Sequence, residues 1–261
     1  MAAHAQPGQL IREWRQRRSL SQLELASRSA VSGRHLSFIE TGRARPSREM
    51  ILHLAQRLDV PLRERNRLLL AAGFAPVYSE HSLDEAGMLP VREALDRFLA
   101  AHDPFPAVVV DRGWNLVAAN RGVSLLTEGV DPSLLEPPAN ALRATLHPRG
   151  MAPHILNLAE WSRHLLERLR RQIELTADGE LQELYDELAA YPGVDATAGA
   201  EPGPAQEILI PLRLRHGDGV LEFFGTVTTF GTPLDITLSE LVVEAFYPAD
   251  ARTADALNRV G

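Results

Sequence analysis

The stretch SQLELASRSAVSGRHLSFIETGRARPS, residues 21–47, decides the fold of the N-terminal part of the chain. Ser21 and Ser32 each precede a short helical pattern. Serine is a preferred N-cap residue because its hydroxyl accepts a hydrogen bond from an amide of the first turn. The pattern therefore predicts helices over residues 22–29 and 33–41, separated by a tight turn. The residues predicted for their buried faces are Leu23, Leu25, Ala26, Leu36 and Ile39.

Three further helices are predicted around this pair. Gly42 is placed as a C-cap glycine after the third helix, Ser47 caps a fourth, and Pro61 opens a fifth that ends by Gly73. The first helix carries Leu10, Ile11, Trp14 and Arg18 at helical spacing. Five short helices in roughly 70 residues, two of them joined by a tight turn, are typical of a helix-turn-helix domain.

The wording of residues 21–47 closely resembles the phage-repressor-like (XRE-type) helix-turn-helix family. The elements SQ, LA, VS and L..IE.G, then a basic residue and a proline, follow one another at that family's spacing. The resemblance covers residues 9–74. It implies a lambda-repressor-like domain that binds double-stranded DNA, and we place this domain at residues 7–76.

The resemblance also assigns residues to the DNA surface. Gln22 begins the second helix, where a side chain and backbone amides hold a phosphate. Arg34 is the best base reader, because a guanidinium bonds guanine in a bidentate manner. Phe38 either touches a thymine methyl or packs as a partly buried aromatic. Arg43 and Arg45 are expected on phosphates. The other residues assigned to this surface are Ser32, Gly33, His35 and Ser37.

Arg15 and Glu40 are expected to act structurally. In the resembled family the matching positions form an ion pair between the first helix and the end of the recognition helix. The pair is therefore not assigned to DNA reading.

The charge is distributed unevenly along the chain. The 261 residues carry 27 basic residues, all arginine, against 34 acidic ones, a net charge of −7. Residues 1–76 hold 13 arginines and 6 acids, a net of +7, and the remainder holds 14 arginines and 28 acids, a net of −14. A basic head on an acidic body favours a nucleic-acid partner for the head alone. A basic solvated face is the alternative.

Several classes of protein are excluded or disfavoured. The chain has no cysteine, which excludes a disulfide scaffold, a thiol nucleophile, a zinc finger and an iron–sulfur site. It has no run of 18 apolar residues, and residues 1–9 lack the pattern of a secretory signal. We therefore expect a cytoplasmic protein with no membrane partner.

The remainder of the chain is predicted to be mixed α/β. Residues 77–89 are polar and acidic and are interpreted as a linker, with the second domain at residues 90–261; residues 192–205 are interpreted as a mobile loop. Two strands (residues 106–110 and 114–119) precede helices that start at Asn120, Asn140 and Asn157 and another at residues 180–188. Apolar residues alternate at Ile208, Ile210, Leu212 and Leu214, and a turn then leads into residues 220–230. They alternate again at Leu234, Ile236 and Leu238, which run into residues 240–247. The sequence therefore predicts a three- or four-stranded antiparallel meander. This is the order of a PAS-like domain, and the predicted class is α + β.

Four phrases resemble the ligand-binding domain of MmyB-like transcription regulators. They are DRGWNLVAANRG, ANALRATLHP, EWSRHLLERLR and FGTPLDITLSELVVEAFYPADARTADAL. The similarity spans residues 89–258, although residues 192–205 fit it poorly. It implies a sensor domain that takes a small apolar ligand, with fatty acids as the best class.

An acyl chain would need an apolar slot and one polar anchor. The candidate walls are Trp161, Phe223, Phe224 and Phe246, and the candidate anchors are Asn140, Arg143, His147 and Arg163. Core packing is the alternative for each wall, and a cap or surface pair is the alternative for each anchor. No cofactor is expected beyond such a bound fatty acid or similar molecule.

No catalytic or metal motif is found. The nine histidines lack metal-ligand spacing, and no GxSxG elbow or glycine-rich phosphate loop is present. The sequence therefore predicts a regulator and not an enzyme. Two alternatives stay open. The first is a DNA-binding protein whose second domain serves only dimerisation or a protein partner. The second is a cofactor-dependent PAS sensor or enzyme, for which His164 is the candidate haem ligand.

A single helix-turn-helix covers one half-site, and adequate affinity normally needs two. We therefore expect a homodimer on a pseudo-palindromic operator. A ligand would act by changing the angle between the two heads through the linker at residues 77–89.

Overall fold

The computed structural model describes residues 6–197, 210–231 and 233–260. They form two compact units. The first comprises the chain up to His81 together with the segment Pro233–Ser239, and the second comprises Ser82–Thr232 and Glu240–Gly261. The break between them falls inside the predicted linker.

The first unit contains the five predicted helices, which we call the head: α1 (Pro7–Arg17), α2 (Gln22–Arg28), α3 (Gly33–Glu40), α4 (Arg48–Arg57) and α5 (Leu62–Ala71). The serine caps form as predicted. Ser21 and Glu24 make a reciprocal capping box on α2, and Ser32 and Ser47 accept from the third amides of α3 and α4. Gly42 and Gly73 both have positive φ, +72° and +82°, as the ends of α3 and α5 require.

The core of the head is built mainly from one face of each helix. Ile11, Leu25, Leu36 and Leu54 are fully buried at its centre. Leu23 was predicted for the buried face of α2, and that prediction is wrong: its side chain is 77% exposed. The helix turns Leu25 and Ala26 inward, and Leu23 lies outside that stripe.

α1 crosses α3 at Gly8, where there is no space for a side chain. A β-carbon on Gly8 would lie 2.0 Å from the Ile39 carbonyl oxygen. The absence of a side chain therefore sets the distance between these two helices.

Gly8→Ala should destabilise the head by about 1–3 kcal/mol, because the added methyl forces the two backbones apart. Alanine's better helix propensity offsets about 1 kcal/mol at most. Urea unfolding of the full chain measures the change. Gly33→Ala is the matched control, since a β-carbon there meets nothing within 4 Å. A Gly8→Ala protein as stable as wild type would contradict the packing described.

The second unit is built on a five-stranded antiparallel sheet, which confirms the α + β class. Its order is β2-β1-β5-β4-β3. The strands are β1 (Ala107–Val110), β2 (Leu116–Ala119), β3 (Leu212–His216), β4 (Gly219–Thr229) and β5 (Val242–Pro248). The remaining helices are α6 (Leu89–His102), α7 (Val123–Leu126), α8 (Ala141–Leu146), α9 (Leu158–Thr176), α10 (Gly179–Ala189), α11 (Ile236–Glu240) and α12 (Ala251–Val260).

The core of this unit lies between the sheet and the long helix α9. Trp161, Leu165 and Leu169 of α9 are buried in one cluster with Phe223 of β4 and Leu212 of β3. The face of α9 that carries these three residues is therefore the one that packs on the sheet. None of the helices in the part of the chain that the structure describes is long and apolar enough to cross a membrane.

Three sequence predictions for the chain beyond residue 76 need correction. Asn120 does not start a helix, because α7 begins at Val123 and the Asn120 side chain instead bonds the backbone of Ala107 and Phe105. Residues 234–238 do not form a strand, because α11 occupies residues 236–240. The predicted linker is not loose throughout, since its last residue already begins α6. Ile208 and residues 198–205 of the predicted loop lie outside the described residues.

Candidate nucleic-acid interface and ligand-binding domain

The orientation of α3 decides which side chains the head presents. Leu36 and Ile39 are buried, and the Ser32 hydroxyl accepts from the His35 amide at 3.2 Å. Arg34 and His35 are consequently exposed on the opposite face. Gly33, Ser37 and Phe38, also predicted for this surface, are each half-buried along the same helix.

Arg34 is held in place by Phe38. The guanidinium carbon of Arg34 lies 5.3 Å from the centre of the Phe38 ring, one helical turn away. Such cation–π contacts restrict a flexible arginine while leaving its five N–H donors free to bond. The Phe38 ring is thus the platform on which the predicted base reader rests.

A buried ionic network ties α3 to α1 and α2. Arg15 Nε and Nη2 donate to the two carboxylate oxygens of Glu40 at 2.7 and 3.0 Å, and Arg15 Nη1 donates to the Leu20 carbonyl at 2.7 Å. The hydrogen bond to Glu40 raises the pKa of Arg15, so the guanidinium stays charged. This is the ion pair that the family resemblance implied.

Gln22 joins the same network, a role that sequence reasoning missed. Its Nε2 donates to Glu40 Oε2 at 3.0 Å and its side chain is half-buried. The side chain predicted to hold a phosphate is therefore already committed to Glu40. The glutamine at the start of α2 helps to fix the angle between α2 and α3.

The two predicted phosphate contacts differ in their surroundings. Arg45 Nη2 donates to the Ala72 carbonyl at 3.0 Å, which fastens the basic loop to the end of α5. Arg43 is exposed, and its side chain forms no hydrogen bond or ion pair within the described residues. The sequence analysis did not name Arg48 as a candidate phosphate contact, although this arginine is exposed on the first turn of α4. Its position directly after the Ser47 cap was the available signal.

The predicted ligand anchors in the second unit have structural partners. The Asn140 side chain caps α8 by accepting from the amides of Leu142 and Arg143. Arg143 makes a bidentate pair with Glu187 of α10, with Nη2 at 2.7 Å, and this contact lowers the pKa of Glu187. His147 packs edge-on against Tyr191, whose hydroxyl also donates to Glu187. Arg143 thus joins α8 to α10, and His147 packs on a residue that follows α10, whereas Asn140 acts at the start of α8 itself.

The fourth predicted anchor, Arg163, pairs with Asp195. Among the predicted walls, Phe223 is fully buried in the core, and Phe246 packs against that core while partly exposed. Phe224 lies on the opposite face of β4 from Phe223 and stacks on Tyr247 at 5.4 Å. The four walls therefore do not line one surface, because alternate residues of a strand face opposite ways.

Trp161 is the predicted wall with an unusual polar atom. The residue is 5% exposed, and its indole Nε1 has no hydrogen-bond partner within the described residues. A buried donor without a partner is costly, by about 1–3 kcal/mol. Its ring centre lies 5.6 Å from that of His164, one turn along α9. Burial lowers the pKa of His164, and the neighbouring charges of Arg168 and Arg171 lower it further.

His164 should make the stability of this unit depend on pH. Because the unfolded chain binds the proton more readily than the folded domain, stability is lost as the pH falls through the ordinary histidine pKa of 6.5. His164→Gln should flatten that decline. Urea unfolding at ~pH 7.5 and ~pH 5.5 measures it. His35→Gln, an exposed histidine in the head, is the control. An unchanged pH dependence in His164→Gln would contradict the expectation.

No group of three or more histidine, aspartate or glutamate side chains among the described residues could hold a metal ion.

Comparison with known proteins identifies both units. Residues 7–68 match a helix-turn-helix domain family, and residues 91–260 match the MmyB-like transcription regulator ligand binding domain. No curated protein matches the chain. A solved structure described as an RNA-binding Light-Oxygen-Voltage receptor is 17% identical to this chain in sequence and superposes on it with a TM-score of 0.29. The match covers 96% of this chain and 62% of the receptor chain.

The two matched domain families define a transcription regulator that combines a helix-turn-helix DNA-binding domain with a ligand-binding domain. The chain belongs to the MmyB-like family, whose domain accounts for most of its length.

Proposed function

We propose that the chain works in the cytoplasm as a homodimer whose two heads bind the half-sites of a pseudo-palindromic operator. The observation that carries this proposal is the presentation of α3: its exposed face carries Arg34 on the Phe38 ring, and its buried end is fixed to α1 by the Arg15–Glu40 pair. A rigid helix with a preorganised guanidinium suits bidentate contact with guanine in the major groove. Two such heads, about 34–36 Å apart, would read both halves of the operator.

Sedimentation velocity tests the dimer. The full chain should sediment as a dimer, alone or with an operator duplex selected from a random pool by the wild-type protein. Sedimentation only as a monomer under both conditions would contradict the proposal.

The ligand proposed for the second unit is a small apolar molecule of the fatty-acid class. Trp161 Nε1 supports it, since this donor lies in an apolar core, has no partner among the residues that the structure describes, and would suit a carboxylate or carbonyl oxygen. Arg143 and Arg163 are already paired with Glu187 and Asp195, which weakens their case as anchors. Ligand binding would change DNA affinity because the ligand binds the two states of the regulator unequally.

The alternative is a second unit that serves only dimerisation or a protein partner, and the occupied anchors favour it. Native mass spectrometry of the purified chain discriminates between the two. A bound mass in the fatty-acid range, released on denaturation, supports the sensor. Its repeated absence across growth conditions supports the alternative.

A further inference from the structure

The chain segment that follows the head is bonded along α5. We call residues 77–81 the strap. Asn66 Oδ1 accepts from the amides of Val77 and Tyr78 at 2.9 and 3.1 Å, and its Nδ2 donates to the Tyr78 carbonyl at 2.7 Å. Arg63 makes a bidentate pair with Glu80 at 2.5 and 3.0 Å. The strap is therefore part of the head, where sequence reasoning expected only a linker.

A segment from the far end of the sequence closes over the strap. The Ile236 amide donates to the Ser79 carbonyl at 2.8 Å, and Ser79 and Asp235 form a parallel bridge. Asp235 Oδ2 accepts from the His81 amide at 3.2 Å and lies 2.8 Å from His81 Nδ1. Ile236 is 3% exposed at this contact, which we call the clasp.

Asp235 has two separate tasks in the clasp. Its Oδ2 binds the strap at His81, while its Oδ1 accepts from the Leu238 amide at 3.2 Å and so caps α11. Its side chain is 15% exposed, against 46% for His81. One carboxylate thus fixes both the shape of its own segment and the contact with the strap.

The clasp segment is short and is tethered at both ends to the sheet of the second unit. β4 ends at Thr229 and β5 begins at Val242, and these two residues face each other in the ladder. A shift of either strand end would therefore be carried directly to residues 233–239. The segment belongs to the phrase FGTPLDITLSEL, none of whose residues is among those predicted to contact DNA or the ligand.

We infer that the clasp between Asp235 and the strap is the connection through which the ligand-binding domain changes the DNA affinity of the head. Asp235 is a positioning residue, since it acts through His81 and Ser79. The inference rests on the proposed function insofar as a ligand is the input. The ligand would then act by opening or closing one contact, and not by changing the angle between the two heads through a loose linker.

Asp235→Asn is the first test. The asparagine retains an oxygen to cap α11, but its amide nitrogen cannot accept from the His81 amide. In wild type, saturating palmitate should change the DNA dissociation constant by about 5–150-fold, and in Asp235→Asn by less than about twofold. Palmitate affinity should be unchanged. Asp255→Asn, an exposed residue of α12, is the control and should keep the wild-type ratio. A wild-type ratio in Asp235→Asn would overturn the inference.

A second test needs no ligand. Because the chain has no cysteine, the double variant Ser79→Cys, Asp235→Cys places a single pair of thiols at the bridge. Oxidation closes the clasp covalently, since bridge partners lie within disulfide distance. The oxidised and reduced forms should differ about 5–150-fold in DNA affinity, with circular dichroism showing both folded. The single variant Ser79→Cys should not respond to reductant.

The two tests separate the possible failures. If palmitate leaves wild type unchanged but the oxidised and reduced forms differ, the ligand proposal fails and the clasp stands. If palmitate shifts wild type and Asp235→Asn alike, and the two redox forms bind equally, the clasp is refuted and the proposed function stands.

Discussion

Glu40→Ala should lower the free energy of unfolding of the head by about 3–5 kcal/mol, because it leaves the buried guanidinium of Arg15 without its counter-charge. The side chains of Arg15 and Glu40 are only 11% and 2% exposed, so water cannot replace the lost carboxylate. Gln22 loses its acceptor in the same substitution. Hydrogen exchange of α1 and α3 in the full chain measures the loss, and operator binding should fall with it.

Two further variants make this expectation specific. Glu13→Ala removes a half-buried carboxylate of α1 whose hydrogen bond with Gln9 is exposed to solvent, and it should change stability by about 0.5 kcal/mol or less. The double variant Arg15→Met, Glu40→Leu replaces the buried pair by apolar groups and should recover most of the lost stability. If Glu40→Ala alone were as stable as Glu13→Ala, the ion pair would not hold α3 to α1.

Arg34→Ala should weaken binding to the selected operator by about 5–150-fold for each half-site, which corresponds to about 1–3 kcal/mol for one bidentate base contact. Binding to unrelated DNA should change far less, since that affinity comes from phosphate contacts. Arg34→Lys separates charge from shape: it keeps the positive charge but loses the planar fork that stacks on Phe38. The affinity of Arg34→Lys for the operator should therefore be close to that of Arg34→Ala. Electrophoretic mobility shift with both duplexes measures these changes.

Arg43→Ala is the matched comparison for Arg34. Because Arg43 is an exposed loop residue, its substitution should weaken binding to operator DNA and to unrelated DNA by the same factor. It should also reduce the slope of log affinity against log salt by about 1. Equal losses on both duplexes in Arg34→Ala would instead assign Arg34 to a phosphate and remove it from base reading.

The helices of the head follow from short-range signals. Ser21, Ser32 and Ser47 cap helices in the sequence and in the structure because a cap involves only residues three apart. The positive φ of Gly42 and of Gly73 just after a helix is likewise set by neighbouring residues alone. The uneven charge is also visible without a structure, since counting needs no contacts.

The errors arise where a distant partner or a competing local signal decides. Alternation at Leu234, Ile236 and Leu238 predicted a strand, although Asp235 offered the cap that starts α11. Arg143 is paired with Glu187, 44 residues away, and Arg163 with Asp195, 32 residues away. No spacing rule connects positions so far apart, so these ion pairs could not be predicted from the sequence.

The sequence by itself indicated two domains, the family that each of them resembles, the helices of the head and the surface expected to face DNA, because each of these depends on local spacing or on composition. Tertiary structure alone decided that Gln22 serves Glu40, that Leu23 is exposed, and that Asp235 reaches back 154 residues to His81. The physical reason is that partner choice and burial depend on which chain segments fold against each other. A side chain's chemistry limits its partners without selecting one.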